Sequence, residues 1–105
     1  MKGIYVLENS PTSEDLYWIC RARSKFNYLT VTFSLPAGKS GQEYSMGISR
    51  VRKLLNHSVG LSIDFFREGR LEEFLGSQKA DYLIVSPKLS GKNIEKIDFP
   101  KYSIS

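Results

Sequence analysis

The alternation of apolar and polar positions is sharpest between Val59 and Phe66, where Val59, Leu61, Ile63 and Phe65 recur at every second place. That is the period of a strand with one buried face. Arg67-Glu68-Gly69 breaks it, Leu71, Phe74 and Leu75 then fall at helical spacing, and Tyr82-Leu83-Ile84-Val85 is a continuous apolar run stopped by Ser86-Pro87. The pattern predicts strand, short helix and strand over 59–87, with a connection near the minimum length for a parallel crossover. This unit is predicted to form the centre of a sheet. A second clear alternation runs from Tyr28 to Leu35, with Leu29, Val31, Phe33 and Leu35 on one face. Leu29, Val31, Phe33, Leu61, Ile63, Phe65, Leu83 and Val85 are therefore predicted to be buried together.

The remaining elements follow from shorter signals. Gly3 to Leu7 reads as a strand with apolar residues on both sides, which belongs inside a sheet if both faces are covered. Thr12 or Ser13 caps a helix that opens with Glu14 and Asp15 and continues through 16–23, although Tyr17, Trp18 and Ile19 also suit a strand. Pro36 to Glu43 has the composition of an exposed loop, and Ile48, Val51, Leu54 and Leu55 give Met46 to Asn56 an apolar helical stripe. Asn93 to Phe99 is read as a short edge strand ending at Pro100, followed by a tail that frays unless Tyr102 or Ile104 is pinned. Ser90-Gly91-Lys92-Asn93 reads as a turn. The fold class predicted is α+β: one small domain over 1–105, with a mixed sheet of four to five strands and two to three helices mainly on one face.

Composition narrows the function classes only slightly. With 105 residues, 41% hydrophobic and 25% charged, the chain has the make-up of one ordinary globular domain, which excludes global disorder. Its single cysteine, Cys20, excludes an internal disulfide and fits a reducing compartment, so a cytoplasmic location is expected. No apolar run reaches the length of about 20 residues that spans a bilayer, and no membrane partner is expected. The net charge of +4 favours an acidic protein surface or a nucleic acid over a basic partner.

Candidate chemistry is sparse. Gly38-Lys39-Ser40 follows a strand, but the phosphate-binding loop needs a glycine where Phe33 stands. His57, the only histidine, has a sufficient role at a helix C-terminus. Asp64, Glu68, Glu72, Glu73 and Asp81 offer carboxylates without metal-ligand spacing. Cys20 beside Arg21 is either an activated thiol or, more plainly, a small buried residue. No catalytic residue, metal or cofactor is assigned. Two basic groups, Arg21, Arg23 and Lys25, and Arg50, Arg52 and Lys53, form one patch if their helices lie side by side.

In type the chain resembles small bacterial or phage inhibitors and immunity proteins that act by covering a partner. The resemblance implies a non-enzymatic protein-binding module. Lys39, Tyr44, Arg50 and Arg23 are then expected at the contact, with an acidic patch opposite. The alternatives are a sequence-tolerant RNA or DNA binder using Arg21, Arg23, Lys25, Arg50, Arg52 and Lys53, and a small enzyme.

Overall fold

Ile4, Tyr5, Val6 and Leu7 are all buried, and this one strand touches both cores of the molecule. A strand that is apolar on both sides needs cover on both sides, and this one receives it. The structure is a computed structural model that describes residues 1–8, 10–36, 38–56, 60–89 and 93–104, without the side chains of Leu55 and Asn93. The predicted role of His57, the start of the third strand at Val59 and the turn at 90–92 lie outside the described residues.

The strands are β1 (Lys2–Leu7), β2 (Tyr28–Leu35), β3 (Leu61–Arg67), β4 (Tyr82–Val85) and β5 (Lys101–Ser103). The helices are α1 (Ser13–Lys25), α2 (Ser45–Leu55) and α3 (Leu71–Ser77), with short 3-10 turns at Gly41–Tyr44, Pro87–Leu89 and Asn93–Lys96. The five strands form one sheet in the order β3-β2-β1-β4-β5, and every pairing is parallel. The fold is therefore α/β, and the expected α+β class with a mixed sheet is corrected.

Handedness sets the layers. The chain steps outward from β1 through β2 to β3, returns across β1 to β4, and continues to β5. Right-handed crossovers travelling in opposite directions place their connections on opposite faces. Accordingly Ile19 and Ala22 of α1 and Val51 of α2 pack on Tyr5, Leu29, Val31, Phe33 and Ile84. Leu71 and Leu75 of α3 pack on Ile4, Val6 and Leu83 of the other face, with Leu89 and Ile94 from the 3-10 turns. Two helices share one face as expected, while the third covers the reverse.

The predicted centre, 59–87, is not the centre. β3 is an edge strand, and β2 and β1 stand between it and β4. Leu61, Ile63 and Phe65 are only partly buried against the first core, whereas Leu83 and Val85 belong to the second. The predicted eight-residue cluster is thus split by the sheet itself. The terminal strand is also relocated: Asn93–Lys96 is a 3-10 turn, and the edge strand forms after Pro100. Tyr102 sits edge-on to Phe26 at 5.3 Å, and Ile104 is buried, so the tail is pinned.

Candidate functional site

In a parallel sheet whose order reverses, the loops leaving two neighbouring strands diverge to opposite faces and leave a crevice at their carboxyl ends. Here the reversal lies between β1 and β4, which pair through Gly3, Ile4 and Tyr5. The β1 loop turns into α1 and the β4 loop turns into the Pro87–Leu89 3-10 turn.

Local sequence fixes both walls. Thr12 is the N-cap of α1: its hydroxyl accepts the Asp15 N–H at 3.3 Å while the Asp15 carboxylate accepts the Thr12 N–H at 2.9 Å. This reciprocal box satisfies two donors that a helix start would otherwise leave bare. Across the crevice, the buried Ser86 hydroxyl accepts the Lys88 N–H at 3.2 Å, and the Ser86 carbonyl accepts the Leu89 N–H at 2.9 Å. Lys88 is thereby aimed back at α1. Its ammonium donates to Thr12 Oγ1 at 3.0 Å and lies 3.6 Å from Asp15 Oδ2.

Two clefts meet at this point. A smaller one of about 210 Å³ is lined by Glu8, Ser10, Thr12, Asp15 and Lys88 among others. A larger one of about 430 Å³ shares Val6 and Glu8 with it and extends across the ends of β2 and β3. Phe66, Leu71, Ile94 and Ile97 supply apolar wall to the larger cleft, and Glu8, Glu68 and Glu72 are its carboxylates. One ammonium thus stands at one end of a partly apolar, acidic trough.

Beneath the crevice, Tyr5 is fully buried on the α1 face of β1. Its hydroxyl has no well-formed hydrogen bond among the described residues. Burial is the dominant influence and pushes its pKa up to about 12; the nearby Ser86 side chain acts in the opposite sense, and Asp15 and Glu14 add smaller contributions to the rise.

The residues singled out from sequence lie elsewhere. Tyr44 is only 7% exposed; it packs on Phe33 and Phe65 and donates to the Ser34 carbonyl at 3.3 Å. Lys39 is exposed and pairs with Glu43 at 3.5 Å, and Arg50 is exposed on α2 with Arg52 and Lys53. On α1, the Arg21 guanidinium lies over the rings of Tyr17 and Trp18, Arg23 donates to the Phe26 carbonyl at 3.3 Å, and Lys25 is exposed. α1 and α2 do share a face, yet Arg21 and Arg23 are engaged with their own helix and its exit. Cys20 is exposed, and partial burial raises its thiol pKa, so neither an activated thiol nor a small core residue is found.

The acidic residues also separate. Asp64 Oδ1 accepts the Phe65 N–H at 2.8 Å and Oδ2 accepts the Gln78 amide at 3.1 Å. Glu73 is held by Arg70, and Asp81 accepts the Lys2 N–H at the opposite end of the sheet. Among the described residues no three His, Cys, Asp or Glu are grouped to hold a metal ion. Glu8, Thr12, Asp15, Ser86 and Lys88 carry no ligand-binding motif. The usable signals were the Thr12-x-x-Asp15 cap and the Ser86-Pro87 stop, once strand order is known to bring them together.

No family model matches the chain, and no curated protein matches its sequence. Its fold does match solved structures. A universal stress protein in complex with cAMP superposes with a TM-score of 0.65 over 97% of this chain and 95% of that one, at 13% identity. The universal stress protein from Archaeoglobus fulgidus superposes with a TM-score of 0.67 over 100% of this chain and 93% of that one, also at 13% identity. The inhibitor or immunity-type reading is overturned by this likeness. So is the expectation of an acidic protein or nucleic acid as partner, since one of these neighbours holds a small molecule.

Proposed function

We propose that this protein binds a small nucleoside-like molecule in the crevice between the carboxyl ends of β1 and β4. The observation that carries the reading is the strand-order reversal, which opens a two-part cleft with Lys88 at one end and an apolar, carboxylate-lined trough at the other. The cAMP-bound neighbour of the same fold supports it.

The residues limit the ligand. The β1–α1 turn, Glu8-Asn9-Ser10-Pro11-Thr12, has none of the glycines that let backbone cradle a pyrophosphate. Glu8, Glu68 and Glu72 repel a highly charged anion, whereas carboxylates accept hydrogen bonds from ribose hydroxyls and exocyclic amines. A neutral nucleoside, or a nucleotide with one negative charge that Lys88 offsets, fits best. Binding without chemistry is part of the proposal.

Isothermal titration with adenosine and cAMP tests it. Saturable binding of at least one is expected, and Lys88→Ala should weaken cAMP by roughly tenfold while leaving adenosine within about twofold, because only cAMP carries the charge that an ammonium recognises. Failure of both to bind would remove the nucleoside reading.

A further inference from the structure

We propose that a second cleft at the carboxyl ends of β2 and β3, adjoining the trough at Glu68 and Gly69, is an anion site that takes a small condensed phosphate, a compound with two linked phosphoryl groups. The cleft has a volume of about 610 Å³ and lies between the loop after β2 and the turn after β3. Lys39, Arg67 and Arg70 line it, with Glu68 as the single lining carboxylate. Three cations on one concavity exceed what a carboxylate ligand needs and match a diphosphate, which accepts several charge-assisted hydrogen bonds.

The walls are suited to close approach. Gly38 and Gly69 have φ of +83° and +81°, and a Cβ at either would meet no atom within 4 Å. Glycine is therefore required there by the turn and not by crowding, and it leaves bare main chain beside the cleft. The loop after β2 is closed on itself by the Lys39 N–H donating to the Pro36 carbonyl, and the Glu68 N–H ties the second turn to it by donating to the Leu35 carbonyl, each at 3.1 Å.

The cations are held without being consumed. Lys39 pairs with Glu43 at 3.5 Å in an ion pair that is about half exposed and weak, whereas Arg70 makes a two-pronged pair with Glu73 at 2.7 and 3.0 Å that is more than half exposed and screened by solvent. A phosphate offers each a stronger partner. Arg67 is exposed and has no carboxylate partner among the described residues. A concave site of this size, bounded by two short loops, admits a compact anion and offers no track for a polymer.

The two clefts adjoin and share Glu68 and Gly69, but Lys39, Arg67 and Arg70 do not line the β1–β4 crevice and Lys88 does not line this one, so the variants of these cations tell the two sites apart. The test is titration of the full chain with inorganic pyrophosphate at low salt, followed by calorimetry and by amide NMR shifts. One-site binding is expected, with shifts centred on residues 38–40 and 67–70. Lys39→Ala and Arg67→Ala should each weaken it about tenfold, and Glu68→Gln should tighten it, since removing a like charge reverses the sign. Lys88→Ala and the double variant Arg52→Ala with Lys53→Ala should leave it unchanged. Circular dichroism checks that the exposed-site variants remain folded, and the Glu68→Gln gain cannot arise from unfolding. Absence of saturable binding, or an equal loss in the Arg52/Lys53 variant, would overturn the proposal, because the second result reports net charge alone.

Discussion

Tyr5 shows how much one buried atom decides. Its phenol is fully buried and lacks a well-formed hydrogen bond, so ionisation is suppressed and its pKa rises from 10.0 to about 12. The folded state therefore keeps a proton that the unfolded chain loses above pH 10. The stabilising difference is complete below about pH 10 and is lost as pH climbs towards about 12, up to roughly 3 kcal/mol from this group. Urea denaturation across that window should show a steeper alkaline decline for the wild type than for Tyr5→Phe. Parallel declines would mean that Tyr5 ionises as freely in the folded protein as outside it. Tyr44 is the complementary case. Its place among Phe33, Phe65 and the Ser34 carbonyl makes it a packing residue, so Tyr44→Ala should cost about 3 to 5 kcal/mol and Tyr44→Phe about 1 kcal/mol. Near-equal stabilities for the two variants, measured by the same denaturation, would return Tyr44 to the surface. From sequence Tyr44 looked like a contact residue because it follows a Gly- and Ser-rich loop; composition does not say which way a ring turns.

At the level of elements, legibility follows the range of the interaction that fixes each one. The cap at Thr12, the helix through 16–23 and the strand Tyr28–Leu35 are specified by neighbours within a few positions, and they appear where the pattern puts them. Capping outweighed the β-prone Tyr17-Trp18-Ile19 because the Thr12–Asp15 box satisfies donors locally. β5 was missed for the opposite reason: it is stabilised by distant partners, pairing with Leu83, Ile84 and Val85 and packing Tyr102 on Phe26. β3 runs from Leu61, directly after Gly60. Gly60 has φ of +83° and its carbonyl accepts the Leu29 N–H at 2.7 Å, so it is the turn that aligns β3 with β2. A Cβ there would lie 2.4 Å from the Asn27 carbonyl oxygen, a main-chain atom that cannot swing aside. Gly60→Ala should lower stability by more than about 1 kcal/mol, since both the left-handed backbone and the contact oppose it. A neutral result in thermal and urea melts would place the start of β3 elsewhere.

Across the whole molecule, the property the sequence withheld is strand order. Periodicity tells which residues face a core, but Leu61, Ile63 and Phe65 alternate equally well on an edge strand as on a central one. The candidate crevice depends on that order, since Thr12 and Lys88 meet only because β4 returns to lie beside β1. The continuous run Ile4-Tyr5-Val6-Leu7 held the better clue to the centre, being apolar on both faces where β3 is apolar on one. The distinction has a measurable consequence. β1 has strands on both sides and is covered on both faces, so its amides should open only when the whole molecule unfolds. β3 and β5 each lack one neighbour; Asp64 shields one β3 amide, and β5 is three residues long. Native-state hydrogen exchange should therefore show the amides of Ile4–Leu7 and Leu29–Phe33 slowest, with free energies near that of global unfolding. Amides of Lys101–Ser103 should exchange first and those of Leu61–Arg67 next, through local opening that is insensitive to denaturant. If the β3 amides proved as slow as those of β1, the sheet would have its centre where the alternation is sharpest, and the crevice between β1 and β4 would lose its structural basis.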